Sequence, residues 1–384
     1  MCLRDLFPCL GRENDIDRGI KDQEERMRRT ISILLLGTAE CGKSTVLKQM
    51  ERKYNRAAFE EQRKICAKVA KLNLIMATWQ LLDARDAFGY SSDDPALENR
   101  FRDKTEFLSP SRCNVHTPPR SEDEDKAAEL YPRIAQEIKT IWQNASIVAT
   151  LDRKSEFYML DSAQYFMSRI DDVKSPNYNP TDEDVLKARK QTSGIVDVKI
   201  DAKLARDKVI FQITDVGGQR YERKYWSRVM SGVETTSILY IFSLSDYNLD
   251  VLEMLPERKR NRMIENTQVF NSVINKDEFR NKNVIVFLNK TDIFIEKLKH
   301  VPLTVCYSDY PENNRDPSAA MDFIEGQIRS QDRSATAVNE DGSPVREIVF
   351  HRTHATDPEA FQVIVETVLA NIQAENLKSA GLLY

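Results

Sequence analysis

The stretch ISILLLGTAECGKST, residues 31–45, decides the fold of this chain. Its first part, residues 31–36, is largely apolar and rich in branched side chains, which predicts a strand buried on both faces of a sheet. Its second part has the pattern G-x4-G-K-S over residues 37–44, and a helical pattern follows. The glycines permit a tight turn whose backbone N–H groups, with a helix N-terminus, surround phosphate groups. The stretch therefore predicts a P-loop, a phosphate-binding turn between a strand and a helix.

Two polar residues of this loop have separate predicted roles. Lys43 would reach the β- and γ-phosphates of a nucleotide, and the Ser44 hydroxyl would bind Mg²⁺. The alternative is a glycine-rich turn that arises by chance. The strand before the loop and the helix after it disfavour that alternative, because a P-loop needs both.

Composition narrows the class of protein. The chain has 384 residues, enough for two domains, and a net charge of only −4, so a broad basic surface for nucleic acid is not expected. Its six cysteines lack C-x-x-C spacing, which indicates a reducing compartment and no zinc site. The sequence has no uninterrupted apolar run of transmembrane length and no signal-peptide pattern.

The first ten residues, MCLRDLFPCL, carry Cys2 and Cys9 among apolar neighbours. Lipid attached to these cysteines as thioesters would hold the protein on a membrane. The second residue is not glycine, which excludes N-myristoylation. The alternative is that both cysteines are ordinary surface thiols. Residues 12–29 predict an exposed, charged helix with a thin apolar stripe.

Apolar periodicity divides the rest of the chain into a helical part and an alternating part. Helices are predicted over residues 60–85, 127–144, 153–168 and 182–186, with mostly loop over 89–125. Strands are predicted over residues 195–200, 209–213, 237–243, 283–288 and, more weakly, 347–352. Helical stretches lie between these strands, which indicates a parallel sheet covered on both faces. A last helix is predicted to begin after Asp357, with Pro358 in its first turn.

The motif DVGGQ, residues 215–219, follows the second of these strands. The carboxylate of Asp215 would act on Mg²⁺ through water, and Gly218 would allow its N–H to approach a γ-phosphate. Gln219 would orient an attacking water molecule. These are the groups that a phosphoryl-transfer site needs beside a P-loop.

Two further motifs follow later strands and point to the base of a nucleotide. In NKTD, residues 289–292, the Asp292 carboxylate would accept two hydrogens from the edge of guanine, which adenine cannot offer. In THATD, residues 353–357, the backbone N–H of Ala355 would meet the guanine carbonyl oxygen. Each short motif is weak alone. In this order, each after a predicted strand, they resemble the motifs of the GTPase class of P-loop proteins.

The long helical stretch between the P-loop and DVGGQ makes the chain similar to the α subunit of heterotrimeric G proteins. The resemblance covers nearly the whole chain and is weakest over residues 88–125 and 330–346. Other segments that carry it are IDR at 16–18, DSA at 161–163, PNYNPT at 176–181, DVL-x-x-R at 184–189, LSDY at 244–247 and NLK at 376–378.

This resemblance implies an α/β fold with three parts. Residues 30–57 and 188–384 would form a Ras-like P-loop GTPase domain with a parallel-rich sheet. Residues 58–187 would form an inserted all-helical domain. Residues 1–29 would be an N-terminal helix that contacts the membrane and a partner.

The resemblance also implies roles for individual residues. Arg189 would act on the transferred phosphoryl group and Gln219 would position water, so these two are the catalytic candidates. Thr192 would bind Mg²⁺ together with Ser44, and Glu40 would pair with the arginine. The nucleotide-binding candidates are Glu40, Gly42, Lys43, Ser44, Thr45, Asp161, Ser162, Leu186, Lys187, Arg189, Thr192, Asp215, Gly218, Asn289, Lys290, Asp292 and Ala355.

The function implied is a GDP/GTP switch that couples a seven-helix receptor to an effector enzyme or channel, with slow intrinsic GTP hydrolysis. The implied partners are a βγ dimer that contacts Lys224 and Trp226, and a GTPase-accelerating regulator. The implied location is the cytoplasmic face of the plasma membrane, through a lipid anchor. One alternative is a nucleotide-dependent binding module with little hydrolysis. Another, a metabolic P-loop kinase, is disfavoured by the DVGGQ and NKTD motifs.

The chain departs from the family pattern at several positions. Ala39 stands where glycine is usual in the P-loop, and its methyl group would crowd the glutamine and arginine of the hydrolytic site. We therefore expect slow hydrolysis, unless the neighbouring Thr38 and Cys41 shift the loop. Lys190 and Gln191 stand where valine and lysine are common.

Overall fold

The computed structural model describes residues 30–113, 118–154, 156–204, 207–232, 235–251, 260–280, 282–334, 346 and 348–379. The predicted helix over residues 12–29 and the acylation candidates Cys2 and Cys9 lie outside these ranges.

A six-stranded sheet forms the centre of the structure. Its strands are β1 (Thr30–Leu36), β2 (Ile195–Leu204), β3 (Asp207–Val216), β4 (Ser237–Ser243), β5 (Asn283–Asn289) and β6 (Ile348–Arg352). They lie in the order β2-β3-β1-β4-β5-β6. β2 and β3 pair in the antiparallel sense, and the other pairings are parallel. The predicted α/β fold with a parallel-rich sheet is confirmed, and every predicted strand is present.

Along the chain, helices lie before, between and after the strands of the sheet. Those before β2 are α1 (Lys43–Tyr54), α2 (Arg56–Ala87), α3 (Pro95–Thr105), α4 (Ser121–Gln143), α5 (Ala145–Asp152), α6 (Ala163–Ser168), α7 (Ile170–Lys174) and α8 (Asp182–Lys187). Those after β3 are α9 (Trp226–Gly232), α10 (Arg262–Ile274), α11 (Thr291–Leu298), α12 (Pro317–Arg329) and α13 (Pro358–Ser379). By length and composition α2 could cross a membrane, but 67% of its most apolar window is buried inside the structure.

Hydrophobic cores lie on both faces of the sheet, because successive side chains of a strand point to opposite faces. In β1, Ile33 and Leu35 enter a core that α1 and α13 cover, whereas Leu34 and Leu36 enter a core that α9 to α12 cover. The helices from α2 to α8 enclose a third core of their own. This arrangement leaves the carboxyl ends of the parallel strands open to a cleft.

The predicted loop over residues 89–125 is wrong in two places. Helix α3 begins there, and the Asp94 carboxylate caps it by accepting a hydrogen bond from the Leu97 N–H at 2.9 Å. Helix α4 begins at the acidic run SEDED, residues 121–125, where Asp123 accepts a hydrogen bond from the Arg120 N–H at 2.8 Å. Acidic side chains stabilise a helix N-terminus, so the run marks a helix start rather than a loop.

The predicted helix over residues 153–168 is confirmed only over 163–168 and is wrong before that. α5 ends at Asp152 and α6 begins only at Ala163. Between them, Tyr158 and Asp161 contact Glu40 and Lys290 respectively, which belong to loops of the sheet domain. These long-range contacts hold the stretch in a non-helical conformation, although its apolar periodicity is helical.

Candidate functional site

A cleft of about 280 Å³ lies between the helices and the carboxyl ends of the strands. All predicted nucleotide-binding and catalytic residues except Asp215 line it. Asp215 lies deeper, at the end of β3, and is 1% exposed. The structure therefore brings together residues that are as much as 315 positions apart, from Glu40 to Ala355.

The P-loop connects β1 to α1 along one wall of this cleft. Gly42 has φ 107°, a conformation that side chains rarely adopt, and a Cβ atom there would collide with the Asn289 amide. The Lys43 ammonium donates hydrogen bonds to the carbonyl oxygens of Gly37 at 3.0 Å and Thr38 at 3.3 Å. Because α1 begins at Lys43, the N-terminal end of this helix faces the cleft, where an anion is stabilised.

The predicted Mg²⁺ ligands lie beside each other. The hydroxyl oxygens of Ser44 and Thr192 are 2.8 Å apart. Asp215 Oδ1 is buried and has no hydrogen-bond partner among the described residues. Burial raises the pKa of Asp215 to about 6, although Lys43 opposes the rise. Two hydroxyls and a carboxylate are the oxygen donors that Mg²⁺ prefers, so the residues present fit this ion.

Glycine is required at position 218 because the backbone there passes close to the backbone of the P-loop. A Cβ atom at this position would lie 2.6 Å from the Gly37 carbonyl oxygen and 2.5 Å from the Lys43 ammonium. Only glycine allows the segment after β3 to lie this close to the P-loop. Gln219 follows directly, lines the cleft and is 3% exposed.

Arg189 is held by the P-loop. Its guanidinium pairs with Glu40, which also accepts hydrogen bonds from Tyr158 at 2.6 Å and from Arg262 at 3.2 Å. Burial by itself would raise the pKa of Glu40, but Arg189 and Arg262 outweigh it and lower the pKa to about 2. The predicted pairing of Glu40 with Arg189 is present, so this arginine would have to exchange partners before it could act on a phosphoryl group.

Residues 189–194, here named the switch segment, contact three other parts of the chain. Asn73 of α2 exchanges two hydrogen bonds with the backbone of Arg189, at 2.8 and 2.9 Å. The Lys190 ammonium pairs with Glu124 of α4, and the Gln191 amide donates a hydrogen bond to the Tyr221 hydroxyl at 2.7 Å. The contacts of the switch segment therefore reach the helical insertion, the P-loop and the segment after β3.

The predicted base-binding end of the cleft differs in one respect from the expectation. The Asn289 amide donates a hydrogen bond to the Cys41 carbonyl, and its oxygen accepts hydrogen bonds from the Thr353 hydroxyl and the Ala355 N–H. Asn289 thus joins three loops. The Ala355 N–H already has an acceptor at 3.1 Å, so a guanine carbonyl would have to share it.

Lys290 and Asp292 lie on either side of this junction. The Lys290 ammonium donates a hydrogen bond to Asp161 at 2.7 Å, which links the sheet domain to the helices. Asp292, in the first turn of α11, is 3.1 Å from the His354 imidazole. Its carboxylate lines the cleft, where a base would lie beside it.

Several residues of this cleft were not predicted from the sequence. Asp246 lies in the LSDY motif after β4 and pairs with Arg262 at 3.1 Å. Its place at a strand end was a usable signal, whereas no sequence pattern marked Arg262 or Tyr158. Trp226, an expected partner contact, is 4% exposed and donates a hydrogen bond to the Gly217 carbonyl. In this conformation it packs in the core.

A P-loop, a pair of hydroxyls in contact at the cleft and a helical insertion over it define a nucleotide-binding protein of the P-loop class. The sequence model of the family described as G-protein alpha subunit matches residues 11–372. A relative from Caenorhabditis elegans, "Guanine nucleotide-binding protein alpha-3 subunit", is 32% identical over 368 residues, which cover 96% of this chain and 95% of the relative. The chain therefore belongs to the G-protein alpha subunit family, whose members are guanine-nucleotide-binding signal transducers and GTPases.

Proposed function

We propose that this chain is a GDP/GTP switch with slow intrinsic hydrolysis, which couples a seven-helix receptor to an effector enzyme or channel. The observation that supports it most is the contact between the Ser44 and Thr192 hydroxyls, whose oxygens are 2.8 Å apart in the cleft. A site of this kind responds to the γ-phosphate, because Thr192 belongs to the switch segment and Ser44 to the P-loop.

The chain's own residues would divide the chemistry between them. Ser44 and Thr192 would hold Mg²⁺, which, when bound, neutralises charge on the phosphates. Lys43 and the N-terminus of α1 would bind the phosphate oxygens. Gln219 would orient the attacking water, and Arg189 would leave Glu40 to stabilise the charge on the transferred group.

Guanine specificity gives the experiment that tests this proposal. Asp292→Asn replaces an acceptor by a donor at one carboxylate position, so affinity should shift from GTP towards xanthosine triphosphate, whose base has an acceptor there. Loss of one hydrogen bond to a charged group costs about 1.5–3 kcal/mol, which corresponds to a loss of about 10- to 100-fold for GTP. The matched control is Glu296→Gln, an exposed carboxylate on the same helix. Unchanged GTP affinity in the Asp292 variant would remove this residue from the site.

A second candidate function is a nucleotide-dependent binding module with little hydrolysis. Two observations favour it: the pairing of Arg189 with Glu40, and the presence of Ala39 in the cleft wall. Single-turnover GTP hydrolysis by the purified chain separates the two functions. A rate that does not fall in Arg189→Ala and Gln219→Ala variants would favour the binding module.

We further propose the partners and location that usually accompany this family. These are a βγ dimer, a GTPase-accelerating regulator and a lipid anchor at Cys2 or Cys9 on the cytoplasmic face of the plasma membrane. Family membership and the sequence MCLRDLFPCL support this proposal. Lys224 is exposed and available to a partner, whereas Trp226 would have to leave the core to contact one.

A further inference from the structure

His354 lies in the loop after β6, next to the side chain assigned above to guanine. Its Nε2 atom is 3.1 Å from Asp292 Oδ2 and 2.7 Å from the Thr356 hydroxyl oxygen. All three side chains line the cleft. The THATD motif predicts a role for the backbone of Ala355 in this loop and none for the imidazole beside it.

We propose that His354 is a positioning residue for base recognition, which holds the Asp292 carboxylate in the orientation that lets both of its oxygens meet guanine. This inference rests on the proposed reading of guanine by Asp292. The imidazole would not contact the reacting phosphate, which binds at the other end of the cleft.

The chemistry of the contact determines which ring nitrogen carries hydrogen. An ionised carboxylate only accepts hydrogen bonds, so the contact with Asp292 is attractive only when Nε2 carries a hydrogen. In the other neutral tautomer, a lone pair on Nε2 would face the carboxylate. When Nε2 carries a hydrogen, the Thr356 hydroxyl oxygen is a second acceptor for it. Asp292 therefore favours the form of His354 that donates to it.

Exposure argues against a role in folding stability. The side chains of His354 and Asp292 are 36% and 40% exposed. Ion pairs this exposed contribute little to the free energy of unfolding. Burial would by itself raise the pKa of Asp292, but the hydrogen bond from His354 and nearby backbone N–H groups outweigh it and lower the pKa. The pair therefore keeps an ionised carboxylate at the predicted base position.

Orientation matters more for guanine than for hypoxanthine. Guanine offers the carboxylate two hydrogens in one plane, from N1 and the 2-amino group, whereas hypoxanthine offers only the N1 hydrogen. A carboxylate rotates broadly about its last side-chain bond unless a contact holds it. Loss of the His354 contact should therefore weaken the two-point interaction more than the one-point interaction.

The experiment measures competition by GDP and inosine diphosphate against a fluorescent GDP analogue on the full chain. His354→Phe keeps a ring of similar size and removes the donor, and His354→Gln keeps a donor. We expect the phenylalanine variant to lose about three- to fivefold in GDP affinity and less than about twofold for inosine diphosphate. The glutamine variant should keep the wild-type ratio. The control is His300→Phe, because His300 is 74% exposed and lies 3.9 Å from Glu296.

Equal losses for the two nucleotides, no loss of GDP affinity, or a glutamine variant that behaves like phenylalanine would overturn the proposal. His354→Ala provides the same comparison should the phenyl ring impair folding, which thermal unfolding with and without GDP reveals. Asp292→Asn in the same assay separates the two levels of inference. If this variant does not favour xanthosine diphosphate, the assignment of guanine to Asp292 fails. If it does, and His354→Phe keeps the ratio, only the role of His354 fails.

Discussion

Removal of the ion pair between Lys190 and Glu124 should speed the release of GDP. The Lys190 ammonium lies 2.8 and 3.0 Å from the two carboxylate oxygens of Glu124. The pair joins the switch segment to the first turn of α4 in the helical insertion. Because the cleft lies between the insertion and the sheet domain, release requires its two walls to separate. Any contact that is broken when the two walls separate therefore slows the release of GDP.

The size of the effect follows from the burial of the two partners. The Glu124 side chain is 7% exposed and the Lys190 side chain 52%. Loss of the lysine leaves a buried carboxylate without this donor, a cost of about 1–3 kcal/mol. The N-terminus of α4 offsets about 0.3–1 kcal/mol of that cost, because Glu124 lies in its first turn. A net change of about 1 kcal/mol corresponds to about fivefold faster release.

The assay is displacement of a fluorescent GDP analogue from Lys190→Met, Glu124→Gln and the double variant. Lys190 also lines the cleft, so its substitution alone does not isolate the effect of the ion pair. The decisive quantity is the coupling energy between the two substitutions, obtained from the single and double variants. Lys68→Met is the matched control, because Lys68 pairs with Asp125 at 2.6 Å entirely within the insertion. Additive effects in the double variant, or equal acceleration in the control, would refute the reasoning.

Three further outcomes are expected. Ala39→Gly should hydrolyse GTP faster than the natural chain in single-turnover assays, because the Ala39 methyl group lines the cleft with Gln219; equal rates would mean that the loop accommodates it. Since the pKa of Glu40 is about 2, against an ordinary 4.5, stability should fall as the pH drops below 4.5. By about pH 3.5 the loss amounts to about 1 kcal/mol, and Glu40→Gln should lack this part of the acid slope in urea unfolding. Membrane attachment should be released by hydroxylamine and reduced in a Cys2→Ser/Cys9→Ser variant; full retention would show that another anchor suffices.

The sheet and the phosphate end of the cleft could be predicted from the sequence for one physical reason. Each motif directly follows an apolar strand, and the carboxyl ends of parallel strands meet at one edge of the sheet. Knowledge that DVGGQ and NKTD end strands was therefore enough to place Asp215 and Asp292 near the P-loop. Their exact partners were not needed for that prediction.

The helical insertion was harder to predict, because its packing determines which segments become helical. In α3, Phe101 is fully buried, and the centroid of its ring lies 6.1 Å from that of Trp79. The Trp79 indole N–H donates a hydrogen bond to the Thr105 hydroxyl. The surrounding prolines and charges suggested a loop. The local signal, Asp94 before Pro95, is a common helix start and was outweighed by that composition.

The contacts around Glu40 show what the sequence could not provide. Tyr158 and Arg262 reach this carboxylate from positions 118 and 222 residues away. Nothing in their local sequence distinguishes them from exposed residues. Only the fold shows that Tyr158, Arg189 and Arg262 all donate to the P-loop glutamate, so that Arg189 shares it with a second arginine.

The switch segment explains how these separate contacts act together. Thr192 meets the Ser44 hydroxyl, and the Gly194 N–H donates a hydrogen bond to Glu222 beside Tyr221. Lys190 and Gln191 belong to the same segment. Lys190 pairs with Glu124 of the insertion, whereas Gln191 donates a hydrogen bond to Tyr221 after β3. If Thr192 moves to ligate the proposed Mg²⁺, that movement would therefore shift, or be resisted by, contacts to both the insertion and the segment after β3. Substitution of Lys190 or Gln191 should change both the rate of nucleotide release and the order of the segment around Gln219, although neither residue acts on the phosphoryl group.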